Sequence, residues 1–92
     1  MADTEAVTNG ADVGPLGQVF AREVRRLREL RGLSQTDLAA QLRERYGLRF
    51  HQATIDRLEK GTRPCRLDEV YALAEVLGST VDDMLADWSS AD

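Results

Sequence analysis

The chain has 92 residues, 42% of them hydrophobic and 30% charged, and a formal net charge of −4 at pH 7. That length allows one domain with one modest core, and it leaves little room for a large catalytic cleft. One cysteine, Cys65, excludes an internal disulfide, and one histidine beside it is too little for a zinc site. No apolar run approaches the roughly 18 residues of a membrane span, and the start MADTEAVTNGADVGPLG has neither the basic nor the apolar part of a secretory signal.

The net charge hides a segregation. Gln18–Arg66 holds all twelve Lys and Arg against six acids (Glu23, Glu29, Asp37, Glu44, Asp56 and Glu59), an excess of six positive charges. The rest of the chain holds ten acids and no base. Local field, not total charge, decides which ligand a surface attracts.

Residues 1–17 are small, polar and acidic, and read as a disordered tail. Helix 1 is expected from about Leu16–Gln18 to Leu30, with Phe20, Val24 and Leu27 as its apolar stripe and Arg22, Arg25 and Arg26 off it. Gly32 supplies its stop. Helix 2 begins at Ser34, whose hydroxyl caps free N–H groups, with Asp37 three residues on as a short-armed capping box. Leu38, Ala39 and Leu42 face inward, and the helix runs to Arg45 or Tyr46, with Gly47 as its stop.

Helix 3 is expected over about His51–Lys60. Ile55 and Leu58 point to the core, while Gln52, Ala53, Asp56, Arg57 and Lys60 share the other side. Gly61 ends it and Pro64 blocks continuation. Helix 4 spans about Leu67–Leu77, with Asp68 and Glu69 in the turn where the helix dipole favours acids. Thr80 caps a short helix 5 whose apolar face is Val81, Met84 and Leu85. No segment alternates like a strand, so the fold class is all-α, five short helices around one core. The domain is bounded at 18–86, and residues 87–92 form a C-terminal tail.

These pieces resemble a family. Leu33-Ser34-Gln35-x-x-Leu38-Ala39, then Ala53-Thr54-Ile55-x-x-Leu58-Glu59-Lys60-Gly61, is similar to the Cro/repressor-type (XRE) helix-turn-helix proteins. The continuations Leu67-x-x-Val70-x-x-Leu73-Ala74-x-x-Leu77-Gly78 and Val81-Asp82-Asp83-Met84-Leu85 look like that family's helices 4 and 5, so the resemblance covers about residues 18–86. It implies a lambda-repressor-like DNA-binding domain, with the helix-turn-helix at helices 2 and 3 and helix 3 in the major groove of double-stranded DNA.

Carried over residue by residue, the resemblance makes Gln52, Ala53, Thr54 and Arg57 the base-reading positions. Arg57 has the geometry for a bidentate bond to guanine, Gln52 for one to adenine, and Ala53 is small enough for close approach or for a thymine methyl. Thr54 suits a base or a phosphate. Gln35 would lie near a phosphate at the start of helix 2, where its amide also reaches backbone or the recognition helix. Lys60, Arg63 and Arg66 would hold phosphates after helix 3. His51 stands where the family usually has a capping Ser or Thr, and it joins the phosphate-contacting set. Arg28 and Glu59 occupy positions at which the family forms a buried or half-buried ion pair between helices 1 and 3, so both are assigned to structure.

One departure stands out. Leu42 and Ile55 are thirteen positions apart, six more than the family's usual spacing. A longer helix 2 and a longer turn after Gly47 are expected, with Arg43, Arg45 and Arg49 around this elbow as further phosphate contacts. Asp56 is read as a partner of Arg57, Gln52 or Lys60 before it is read as an acceptor for cytosine. Basic neighbours favour a lowered pKa for Cys65, but a lone thiol in a loop is read as inert before it is read as a redox switch. Trp88 either folds back over the core or anchors a second copy, in which case Val81, Met84, Leu85 and Trp88 form the contact patch. A homodimer is expected on family grounds, reading two half-sites about 34–36 Å apart.

The leading function is therefore a sequence-specific DNA-binding transcriptional regulator, a repressor in its simplest form, cytoplasmic and nucleoid-associated. It needs no cofactor. The alternative is an antitoxin-like or protein-interaction module of the same fold that binds a protein partner, motivated by the acidic termini. No nucleophile–base set, phosphate loop or paired-carboxylate cleft stands out, so the chain is read as a non-enzyme.

Overall fold

The computed structural model describes residues 13–86. In chain order the elements are α1 (Pro15–Leu30), α2 (Gln35–Tyr46), α3 (Gln52–Glu59), α4 (Leu67–Val76) and α5 (Val81–Met84), with no strand among the described residues. Pro15 sits at the first position of α1, where a missing N–H costs nothing, and Gly14 is its N-cap. The helix thus takes in Pro15–Gly17, which composition alone assigns to the tail.

Local chemistry fixes the other helix ends. The Ser34 Oγ accepts the Asp37 N–H at 2.9 Å, and the Asp37 carboxylate accepts the Ser34 N–H at 3.1 Å, a complete capping box for α2. Gly47 closes α2 in the left-handed region at φ 68°, where its N–H reaches the Arg43 carbonyl and the Leu48 N–H reaches that of Leu42. The Thr80 Oγ1 accepts the Asp83 N–H at 3.1 Å and starts α5.

The core is contiguous. Phe20, Val24 and Leu27 of α1, Leu38, Ala39 and Leu42 of α2, Ile55 and Leu58 of α3, and Leu73 and Leu77 of the α4 segment meet in it, with Met84 of α5. α2 packs on α3 and α4, α1 on α3 and α5, and α4 on α5. Arg31, just past α1, donates to the Leu77 carbonyl at 2.5 Å and to that of Gly78 at 3.3 Å, so α1 also caps the far end of α4.

The elbow between α2 and α3 holds the main surprise. Phe50 is 1% exposed, and Leu48 packs against the same core. The Arg43 guanidinium donates to the Phe50 carbonyl at 2.6 Å, and the Arg63 guanidinium lies 5.0 Å from the Phe50 ring centroid. The added residues are therefore a core plug fastened from both sides. No described helix is long and apolar enough to cross a membrane.

Candidate nucleic-acid interface

α3 is the element on which the site turns. Its buried side is Thr54, Ile55 and Leu58; its outer side presents Gln52, Ala53 and Arg57, all exposed, with Asp56 half-buried between them. Thr54 departs from its expected role as a base reader. It is 8% exposed, and its hydroxyl accepts the His51 N–H at 3.2 Å, so it serves the helix start and faces the core. His51 is the N-cap residue and its ring is exposed.

The base of α3 is locked to α1. The Arg28 Nε donates to Glu59 Oε2 at 2.6 Å and its Nη2 to Oε1 at 3.1 Å, a bidentate pair, while Nη1 donates to the Leu33 carbonyl at 2.7 Å. The two side chains are 12% and 4% exposed, and the carboxylate holds the Arg28 pKa above its ordinary value. The Gln18 amide adds a second tie, donating to the Gly61 carbonyl at 3.1 Å. Gly61 has φ 74°, the left-handed region that favours glycine, and a Cβ there would displace the end of the Gln18 side chain.

Gln35 joins α2 to the outer face of α3. Its Nε2 donates to Glu59 Oε1 at 3.1 Å and to Asp56 Oδ1 at 3.4 Å, and its Oε1 accepts from the Gln52 amide at 2.6 Å. Of the uses open to Gln35, the structure displays contact with α3. Arg25, Arg28, Gln35, Asp56, Glu59 and Lys60 line a polar recess where α1, α2 and α3 meet. Lys60 reaches Asp56 at 2.9 Å, and bonds from Lys60, then Gln35, hold the Asp56 carboxyl below its usual pKa.

The cations divide into two groups. Arg63, expected on phosphate, is instead bonded through both terminal nitrogens to Glu69 at 3.1 and 3.2 Å and lies against Phe50. Glu69 is buried and also accepts the Arg66 N–H at 2.9 Å, capping α4. The pairing raises the Arg63 pKa. Arg43 is tied to the elbow backbone as described. Arg45 stacks 5.6 Å from the neighbouring Tyr46 ring, and Arg66 makes only a 3.9 Å approach to Asp68. Arg49 and Arg57 are exposed, and no described residue bonds either guanidinium.

Two further expectations change. Burial pushes the Cys65 thiol up to about 12, reinforced by the Glu69 charge and outweighing Arg63, so the basic neighbourhood does not activate it. Of the candidate dimer patch, Met84 is 1% exposed and belongs to the core; Val81 and Leu85 are half-buried against it. Trp88 lies outside the described residues. Among those residues no group of His, Cys, Asp and Glu is arranged to hold a metal ion.

Sequence reasoning missed Gln18, Arg31 and Phe50 as organising residues, and the Arg63–Glu69 pair. Glu69 carried a signal, since a Glu at the third position of a helix is half of a capping box. A family model described as a helix-turn-helix domain matches residues 19–88. No curated protein and no solved structure matches the chain.

Proposed function

From the premise that the chain belongs to the helix-turn-helix domain family, we propose that it is a sequence-specific, double-stranded-DNA-binding transcriptional regulator that represses by occluding a promoter. In this reading α3 enters the major groove, Arg57 reads guanine, Gln52 reads adenine while braced by Gln35, and Ala53 permits close approach. Arg45, Arg49 and Arg66 carry the phosphate contacts, with Lys60 and His51 at the two ends of α3. Two copies bind two half-sites, and the DNA ligand places the protein at the nucleoid.

The observation that carries this reading is the outer face of α3. Gln52, Ala53 and Arg57 stand exposed together on a helix whose opposite face and C-terminal end are fixed to the core. A face held rigidly and left uncovered suits recognition better than stability.

The test is binding to a site selected from random duplex DNA. Arg57→Ala is expected to cost about 1–3 kcal/mol on that site and to relax preference at one base position. Arg49→Ala is expected to weaken all sequences alike. An equal, uniform loss in both variants sinks the assignment of Arg57 as a reader. Binding that does not fall as salt rises argues instead for a protein-interaction module, because each neutralised phosphate must release counterions.

A further inference from the structure

An apolar groove of about 280 Å³ runs between the start of α1, the loop after α3 and the end of α5. Leu16, Phe20, Leu58, Pro64, Val70 and Leu85 are among its walls. It shares no lining residue with the polar recess of Arg25, Gln35 and Lys60. Leu16, at 44% exposure, stands at its rim uncovered by any described residue.

We propose that this groove is the docking site of the chain's own C-terminal segment 87–92, with Trp88 as the inserted side chain. Three observations select that occupant. Leu85 is both a groove wall and nearly the last described residue, so the segment begins at the site. Each extended residue spans at most about 3.6 Å, which keeps the Trp88 backbone within about 11 Å of Leu85 and inside the reach of a long side chain. Composition then discriminates between the two chain ends near the groove. Residues 1–12 lead to Val13 on another wall, but their bulkiest apolar side chains are Met1 and Val7; Trp88 is the single tryptophan of the protein and the large apolar group in its segment. An indole buries about 150–250 Å² when covered, enough to cover the exposed Leu16.

Because Trp88 is the sole tryptophan, its fluorescence in the full-length protein reports the site directly. The expected result is emission shifted to the blue of the urea-unfolded chain, protection from a soluble quencher, and no change on dilution. Leu16→Asp supplies the second measurement. It puts a charge on the groove wall at a helix N-terminus, where an acid is favourable, so the fold is retained; the emission is expected to move to the red and the protection to be lost. Solvent-like emission in the unaltered protein at every concentration overturns the proposal. So does a blue shift that vanishes on dilution together with a sedimenting dimer, which assigns Trp88 to a second copy. A concentration-independent blue shift untouched by Leu16→Asp overturns the groove as its location.

Discussion

Arg28 and Arg63 sit on the basic stretch of the chain, yet each is consumed by a carboxylate and a backbone carbonyl inside the protein. Their loss should register first in stability. Arg28→Ala strands Glu59 at 4% exposure and is expected to cost about 3–5 kcal/mol, read as a lowered urea midpoint. Arg63→Ala is expected to cost about 3 kcal/mol, the low end of that range, because Arg63 keeps 27% of its side chain in water. Replacing Glu69 by Gln in the same chain should recover part of the Arg63 loss by removing the stranded charge. The first pair was legible because family positions pointed to it. The second was not, since Arg63 and Glu69 lie on either side of a proline loop whose path only the folded chain shows. Cys65 gives a pH prediction. Its thiol is held neutral to about pH 12 in the folded state, against 9.0 unfolded, so the stability it contributes is present below pH 9 and is lost as pH rises through that window. At pH 8 a thiol reagent should react slowly with the native protein and fast once urea unfolds it. Equal rates would mean that the thiol is not buried.

At the scale of elements, the helices themselves were readable because each carries its own stop and start. Ser34 with Asp37, Thr80 with Asp83, and glycines after α2 and α3 fall where the sequence puts them. The elbow was readable only as a length. Counting from Leu42 to Ile55 reveals added residues but not their direction, and a loop is ordinarily taken as solvated. The alternation Leu48, Arg49, Phe50 was the available clue, since an extended segment with every second residue apolar turns one side inward. Phe50→Ala is expected to destabilise by about 3–5 kcal/mol, as large-to-small changes do in a packed core. Arg43→Ala should cost less and mainly raise amide exchange across residues 47–51, because it removes one brace and leaves the plug in place. If Phe50→Ala leaves the urea midpoint unmoved, the elbow is a surface loop after all.

For the whole molecule, the segregated charge foreshadowed a basic surface but overstated its strength. Of the twelve cations, Arg28, Arg31, Arg43 and Arg63 bond other parts of the protein, Arg25 and Arg26 pair with Glu29 and Glu23 along α1, and Lys60 makes an exposed pair with Asp56. If Arg45, Arg49, Arg57, Lys60 and Arg66 are the cations that meet DNA, log K against log salt should fall with a slope no steeper than about −4 to −5 per protomer. A slope near −10 per protomer would mean that the internal pairs open on binding. Linear sequence cannot supply this distinction, because an arginine facing solvent and one facing a carbonyl look the same in a charge count. The tether of α3 to α1 through Arg28–Glu59 and Gln18–Gly61 has a consequence for how such a protein changes over time. Everything that holds α3 lies at its base or on its inner side, apart from the bonds of Gln35 to Gln52 and Asp56, so residues 53 and 57 are free to vary without loosening the scaffold. On the proposed reading, new target preferences are then reachable by single substitutions that leave foldedness untouched, while changes at Gly61 or Glu59 weaken the scaffold itself.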